Sequence, residues 1–570
     1  MKKGFTLIEL LAVIIILGII ALLTVPVINN ALINSRERSY NAQVAMIIDA
    51  ATRWLVNNTE CDPKEADCFV GVEELISEGF ITRPRNGYLR DPRNAQRMDG
   101  CVIISFSERY QQDEFIYIEA SCLQIEQGTL MAIPWNVAQP TDIFLTLPIR
   151  RNQIESIETR NRIEVDINIC IDNNTCADVS AEQNKSVIAW WEQGDNPDLY
   201  KVYIGAFGRV VANTNSDLLF HNLSNATHLN LTYLDTSMVT RMFRMFGRLD
   251  GSTSLSSIEF GLNFVTDNVM VMDDIFMHLT NLTEIITPDG INVINWDTSN
   301  VISMGGMFFN TSLSSIEFGP NFVTDNVRNM GGMFARMINL TEIITPAGVN
   351  VINWDTSNVI NMQSMFSTIR LSSIEFGSNF VTDNVRYMQI MFGGTNLTEI
   401  ITPAGRNVIN WDTRNVTNMG LMFNNTRLSS IEFGSNFVTS NVINMQSMFT
   451  WMTNLTEIIT PAGRNVINWD TSKVTHMASM FYNTSLSSIE FGPNFVTDNV
   501  RNMWGMFARM SNLNNTQGLD IRHFNFSNVT DHGDMLYRTP TTARLTVNPA
   551  GNTWLNNNGF SAWNNRVIVP

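Results

Sequence analysis

The chain has 570 residues, 44% of them hydrophobic, and a formal charge of −17. That length supports about three or four domains, and that apolar content excludes wholesale disorder. The negative balance excludes direct binding to a phosphate backbone, which needs clustered Lys and Arg, so no nucleic-acid partner is expected.

Lys2 and Lys3 precede an apolar run from Phe5 to Val25 that is broken only by Glu9. The run is long enough to span a bilayer as a helix, and the lysines suit its cytoplasmic side. It is longer than the apolar region of a secretory signal and has no small-residue cleavage site behind it. It continues through Pro26 into Ile28, Ala31, Leu32, Val44, Ile47, Ile48, Ala51 and Leu55, whose spacing predicts an amphipathic helix reaching Asn57. A carboxylate at membrane depth costs a few kcal/mol, so Glu9 calls for a partner.

Residues Lys2 to Glu9, with Gly18 and Pro26, resemble the type IV prepilin leader shared by type IV pilins and type II secretion pseudopilins. The resemblance implies that a prepilin peptidase cuts between Gly4 and Phe5 and that Phe5 is N-methylated. Residues 1–4 are then a leader, and 5–27 a helix that is first transmembrane and later part of a filament core. It also implies a role for Glu9, which neutralises the new Phe5 ammonium of an adjacent subunit. Attraction between the two is strong where water is scarce, and either charge left single is costly. Gly18 and Pro26 weaken the helix, and the segment between them is expected to unwind on assembly. The implied partners are the peptidase, other pilin subunits and the pilus assembly machinery. The implied location is the cytoplasmic membrane, as a single-pass protein, and then the extracellular pilus.

Residues 28–180 are expected to form an α+β pilin globular domain, the long helix packing on a small antiparallel sheet. All six cysteines fall here: Cys61, Cys68, Cys101, Cys122, Cys170 and Cys176. An even count in one region suits disulfides in an exported domain. "VGVEELISEGFI" reads as a short helix. "CVIISFSERYQQDEFIYIEASC" reads as two strands around a turn at Gln111 and Gln112. Pairing them brings Cys101 toward Cys122 and leaves Cys61–Cys68 and Cys170–Cys176 as local loops, one of fifteen connectivities. Residues 128–184 receive no fold. Within them "NRIEVDINICIDNNTC" reads as a strand with a Cys-closed turn, in the pilin domain or in an insert. The polar "SAEQNKS" marks a boundary, with a linker over 181–197.

From about residue 235 the chain repeats. Trp296, Trp354, Trp411 and Trp469 recur 57 or 58 residues apart. Each period holds two halves with V-x-x-M-x-x-M-F, whose first methionines are Met242, Met272, Met304, Met330, Met362, Met388, Met419, Met445, Met477 and Met503; His532 takes that place in a last, decayed copy. From Met304 the spacing alternates near 26 and 31–32. This predicts a solenoid of about eleven coils over 236–540, capped by 198–235 and 541–570. One half of each pair carries L-x-x-I-x-F-x-x-N, as in Leu255, Ile258, Phe260 and Asn263, which is a leucine-rich pattern. The expectation is an α/β leucine-rich-repeat solenoid. Ile258 and Phe260 point inward from a strand, and Asn263 turns the chain. "DTSN" and "TDN" cap a short helical turn whose Val, Met, Met and Phe fill the other side.

"DTSNVISMGGMF" and "DTSNVINMQSMF" resemble the BspA-like leucine-rich-repeat surface proteins, known also from mycoplasma-type lipoprotein repeats. The resemblance covers about 198–570; "YKVYIGAFGRVVAN" and "SAWNNRVIVP" resemble the opening and closing segments of such arrays. It implies surface exposure and, in some members, binding to host proteins or other bacteria, so the expected ligand is an extracellular protein or glycan. It supplies no catalytic residues.

The 30 methionines, paired regularly with Phe, read as core and not as a metal or flexible binding surface. Asp297, Asp355, Asp412 and Asp470 suit turns better than calcium, so no metal or cofactor is expected. Glu259, Glu317, Glu375, Glu432 and Glu490 each sit at an outward strand position, one on every second coil. At about 4.8 Å per strand that is a carboxylate roughly every 10 Å, a candidate ligand face for a basic partner. No enzyme signature is present, and near-identical stacked copies suit repetitive binding better than one asymmetric pocket, so the chain is not expected to be an enzyme. Together these features predict a minor type IV pilin that carries an adhesin at or near a pilus tip. Alternatives are a pseudopilin of a secretion or DNA-uptake machine and a static membrane-anchored surface protein.

Overall fold

The computed structural model describes most of residues 36–118 and of 149–569, the latter apart from 180–186, 207–209, 250–252 and 561–566. The expected leader, transmembrane helix, Phe5, Glu9, Gly18 and Pro26 lie outside the described residues. Among those described, no helix is long and apolar enough to cross a membrane. The chain divides into two units, Met1–Asp142 and Ile143–Pro570.

In the first unit, helix α1 (residues 42–55) buries Ile47, Ala50, Ala51 and Trp54, which fall on one face at helical spacing. That face shares a core with Val70, Val72, Leu75, Ile76, Val102 and Ile104. These come from strand β1 (Cys68–Gly71), helix α2 (Val72–Ser77) and strand β2 (Cys101–Ser107). Strand β3 (Gln112–Ile118) pairs with β2. The sheet order is β1-β2-β3, all antiparallel, with Cys101 opposite Ile118 and Ser107 opposite Gln112. Cys61 and Cys122 lie outside the described residues, and so do the two disulfides drawn to them.

The second unit is a β-solenoid of about twelve turns. Parallel bridges link one residue of each turn to the next, from Asn215 through Arg241 and Val271 to Asp531. Two kinds of coil alternate. The first carries a Ser-Ile-Glu-Phe strand, as in Ser315–Phe318. The second carries Glu-Ile-Ile-Thr, as in Glu342–Thr345. The two run parallel with Ile316 opposite Ile343; the period-2 alternation turns Ile316, Phe318 and Ile343 into the core. After the second strand the chain doubles back. Gly348 and Val349 pair antiparallel with Thr345 and Ile344, Asn350 takes a left-handed φ of 57°, and Val351–Ile352 then runs parallel to the next Glu375–Phe376. This small hairpin occupies only the second kind of coil, which accounts for the alternation of spacing near 26 and 31–32.

The expected helical turn does not form, so the array is a β-solenoid and not an α/β leucine-rich-repeat fold. Each Met-Met-Phe segment from Met272 to Met503 has two residues in the left-handed region, four apart, as in Asp274 (φ 59°) with His278 (φ 61°) and Ser479 (φ 55°) with Asn483 (φ 57°). A right-handed helix cannot pass through either. Backbone donors point instead to the next coil: Met272 N–H to Ser303 O at 2.8 Å, Asp274 to Gly305 at 2.8 Å, Phe276 to Met307 at 3.0 Å and His278 to Phe309 at 2.8 Å. M-x-x-M-F has helical spacing, but two apolar residues three apart also fit a squared turn, and so short a run does not separate the two.

"DTSN" and "TDN" form ladders between coils and do not cap helices. Thr298 Oγ1 donates to Val323 O at 2.6 Å, and Asn300 Nδ2 to Asp267 O at 2.6 Å. Asn263 lies in the strand-end turn, where Phe264 N–H donates to Gly261 O at 3.1 Å, and in the equivalent turn the Asn321 N–H is satisfied by Asn295 Oδ1 at 3.1 Å.

One coil escaped the sequence reading. In Asn215–Phe220, Ser216, Leu219 and Phe220 stand in the Met, Met and Phe places. Ser216 N–H donates to Arg241 O at 3.0 Å and Phe220 N–H to Met245 O at 2.8 Å. Phe220 begins a column of buried rings that continues through Phe246, Phe276, Phe308 and Phe334 to Phe507, with neighbouring centroids between 5.5 and 6.0 Å. The column is packed edge-on by Phe318 and its equivalents, an arrangement aromatic quadrupoles favour. No coil buries these rings without its neighbours.

The opening cap begins earlier than expected. Strand β4 (Ile154–Arg160) lies between His228–Leu231 and Tyr200–Ala206 in the sheet of the first coils. Residues assigned to the pilin domain or to a linker over 181–197 therefore belong to the second unit, where Val187–Gln193 is a strand antiparallel to Tyr200–Ala206. Ile154 and Ile157 are fully buried under the first coils, which ties this segment to the array. Cys170 and Cys176 form a disulfide that joins helix α3 (Ile167–Asp172) to strand Cys176–Asp178. At the far end, helix α4 (Pro549–Asn557) starts from Asn548, whose Oδ1 accepts from Gly551 N–H at 2.7 Å.

Candidate functional site

The five candidate glutamates sit on the outward side of the Ser-Ile-Glu-Phe strands, half-buried at Glu259 and Glu432 and exposed at Glu317, Glu375 and Glu490. They do not face one another. Glu317 lies between Val293 and Ile344, Glu375 between Val351 and Ile401, and Glu432 between Val408 and Ile459. Across this position each four-stranded sheet reads Val, Glu, Ile, Val, as in Val293, Glu317, Ile344 and Val349, with one acid to four strands and not to every second. Asn230 Nδ2 donates to Glu259 at 3.2 Å. The hairpin arginines Arg406 and Arg464 reach back over the sheet to pair with Glu399 and Glu457.

At the C-terminal end of this row, Glu490 lines an open cavity of about 270 Å³ together with Asp520, Arg464, Arg522 and Arg544. Arg522 pairs with Asp520. Basic side chains therefore compensate the row where it is best enclosed. The tetrad Asp297, Asp355, Asp412 and Asp470 is engaged locally: each Oδ1 accepts the N–H two residues on, at 2.9 to 3.1 Å. These are Asx turns. Among the described residues no cluster of His, Cys, Asp or Glu could hold a metal ion.

On another corner a cleft recurs beside Trp296, Trp354 and Trp469, with volumes of about 510, 460 and 220 Å³. Phe322, Trp354 and Pro346 line the second of these, and the buried indole N–H of Trp354 has no hydrogen-bond partner.

Two features of the turn face were not legible from spacing. The array's first carbonyls are capped by Arg151, whose guanidinium donates to His221 O at 2.6 Å and Leu219 O at 3.1 Å. Asp273 is half-buried between coils, accepting from Ser303 Oγ at 2.5 Å, Gly305 N–H at 3.0 Å and Asn329 Nδ2 at 3.1 Å. Burial pushes its carboxyl up to about 7 against the pull of those donors.

The family model described as "Mycoplasma protein of unknown function, DUF285" matches five overlapping stretches: 214–345, 284–401, 344–462, 395–486 and 452–548. Together they cover more than half of the chain. A second model, the prokaryotic N-terminal methylation motif, matches residues 1–25. The chain belongs to the DUF285 repeat family, joined to a type IV pilin-like N-terminus. The type IV major fimbrial protein FimA of Dichelobacter nodosus is 30% identical over 135 residues, 22% of this chain and 81% of the relative. No solved structure matches the chain. The DUF285 matches coincide with the turns of the solenoid, and the family description assigns them no activity. The pilin-like motif implies processing by a prepilin peptidase and assembly with other pilins. It suggests a protein anchored in the membrane first and exposed at the surface afterwards.

Proposed function

We propose that this DUF285 protein is a minor type IV pilin whose solenoid is an adhesin, displayed at or near a filament tip. The observation that carries the reading is the joining of a methylation motif at residues 1–25 to a solenoid several times larger than the pilin module. So large a unit on every subunit would crowd a tightly packed shaft, which favours a rare subunit at the end. The unit repeats one surface many times, and repetition suits binding to an extracellular protein or glycan better than catalysis, so the protein is read as a binder and not an enzyme.

The test is to shear filaments from cells and probe both fractions. The chain travels with the filaments, begins at Phe5 by mass spectrometry, and is lost from them in Glu9→Ala. A chain that stays uncut in the membrane, or sheared filaments labelled along their whole length, overturns the tip-adhesin reading.

A further inference from the structure

The array copies itself closely enough for its departures to be informative. Residues 307–340 and 480–513 are identical except at three positions: Phe309 becomes Tyr482, Gly331 becomes Trp504 and Ile338 becomes Ser511. At the same offset His278 becomes Trp451. On the turn face the later copy gains Trp504 where the earlier has glycine, and carries Trp451 and Tyr482 in place of His278 and Phe309.

The two tryptophans are open to solvent, and Tyr482 between coils is half-buried. Trp451 is 44% exposed, Trp504 42% and Tyr537, one coil further on, 43%, whereas Phe309 in the earlier copy is only 7% exposed. Trp451, Tyr482 and Arg509 adjoin one another. Trp451 packs on Tyr482 at 5.5 Å, and the Arg509 guanidinium lies over the Tyr482 ring at 5.7 Å. Tyr482 also lies 3.5 Å from where a Cβ on Gly505 would sit, beside Trp504. Arg509 N–H bonds to Tyr537 O at 2.7 Å, and Arg538 lies over the Tyr537 ring at 5.1 Å. Neither guanidinium forms an ion pair among the described residues, and the Arg509 Nε is buried without a hydrogen-bond partner.

The fold does not call for these residues. Trp451 holds a left-handed φ of 61°, where equivalent turns place His278, Asn310, Arg336, Thr368, Gly394 and Asn425; a bulky ring there is a backbone outlier of the kind that gathers at functional sites. Trp504 stands where the sister copy has glycine. Exposed aromatic patches on soluble surfaces mark interaction sites. Two stacked guanidinia with free donors complement a planar anionic acceptor locally, against the chain's net charge of −17.

We infer that Trp451, Tyr482, Trp504 and Arg509, extended by Tyr537 and Arg538, form the ligand surface of the array, and that its ligand is an acidic glycan. Sugar faces stack on the rings, and carboxylate or sulfate groups take the two arginines. The inference rests on the adhesin reading and names its ligand class. It moves the binding face from the glutamate row to the opposite end of the charge scale.

The test titrates the full-length protein in detergent micelles with tetrasaccharides of hyaluronan (carboxylate), chondroitin sulfate (carboxylate and sulfate) and chitin (neutral). It follows heat and the fluorescence of the exposed indoles. At least one acidic tetrasaccharide binds tenfold or more tighter than the neutral one, binding weakens as salt rises, and the fluorescence changes on saturation. The double variant Tyr482→Phe, Trp504→Gly restores the sequence of residues 307–340 at both positions, which the chain already folds, so its loss of binding is not loss of fold. Tenfold weakening in that variant and in Arg509→Gln supports the inference. No binding to either acidic probe, binding unchanged in the variants, or a patch-dependent protein partner with no glycan affinity each overturns it. Association with sheared filaments is read separately, so a chain that reaches the filament yet binds neither acidic probe overturns this inference and leaves the pilin reading standing.

Discussion

The sheet face and the turn face of this solenoid stack the same coils by different rules. On the sheet, parallel strands offer both N–H and C=O groups toward each neighbour. Inside the Met-Met-Phe turns the inter-coil bonds run one way, with Met272, Asp274, Phe276 and His278 donating to Ser303, Gly305, Met307 and Phe309, although just before each turn the later coil donates back, as Ile302 N–H does to Met270 O. Repeated along the array, that leaves carbonyls open at its first turn and N–H groups at its last. The carbonyl end is met by the guanidinium of Arg151, brought there by an opening cap that a purely repetitive reading leaves out. A sheet-like stack needs its edges covered; a one-way stack also needs a charge of the right sign at each end.

The largest test of this contrast removes a ring that both faces enclose. Phe366, fully buried, touches Phe334 and Phe392 at 5.7 and 6.0 Å and Phe376 edge-on at 5.8 Å. Phe366→Ala is expected to cost about 3–5 kcal/mol in a denaturant titration. Because each coil leans only on its neighbours, hydrogen exchange should rise near residue 366 and stay protected toward both ends. A uniform rise would show a single cooperative block. Arg151→Met comes next, at about 2–3 kcal/mol for charged hydrogen bonds lost to carbonyls. Its effect should be confined to amides of the first turn, 215–222, and leave the sheet strands unchanged.

How much of this was legible follows the same division. The strands were readable because Ile258 and Phe260 alternate with outward Ser257 and Glu259, a period-2 signal with one interpretation. The turn face was not, because V-x-x-M-x-x-M-F has the spacing of a helix and nothing in residue type marks Asp274, Ile390 or Trp451 as left-handed. The Ser216–Phe220 turn was hidden because its core places hold Ser and Leu where its copies hold Met. The glutamates were rightly placed outward on their strands, but the intervening hairpin changed their neighbours. The aromatic patch was visible as sequence differences between copies, yet without the turn geometry Trp451, Tyr482 and Arg509 do not meet.

A smaller effect separates the faces by pH. Burial raises the Asp273 carboxyl to about 7, while an unfolded Asp titrates near 4. Between those values the folded chain holds a proton that the unfolded chain has released, so this residue's contribution to stability falls as pH rises from about 4 to 7. Asp273→Asn keeps an acceptor for Ser303 and removes the charge. It is expected to raise stability by on the order of 1 kcal/mol at pH 7.5 and to flatten that part of the pH profile, measured by thermal melts across pH 4 to 8. An unchanged slope would place the linkage elsewhere.

The smallest effect bears most directly on why no helix forms. Ile390 holds φ 60°, a conformation that costs a β-branched residue about 1–2 kcal/mol; Gly306 and Gly332 hold φ 61° and 64° at the same place in earlier turns. Ile390→Gly relieves that strain and gives up a half-buried side chain, whose Cγ2 lies 2.8 Å from where a Cβ on Gly393 would sit. The sum favours the variant by about 0.5–1 kcal/mol. Gly306→Ala runs the comparison backwards and should cost about 1 kcal/mol. If the segment instead preferred a helix, alanine would be the better residue at both sites and both signs would reverse, so paired denaturant midpoints decide between a turn that requires its left-handed residues and one that only tolerates them.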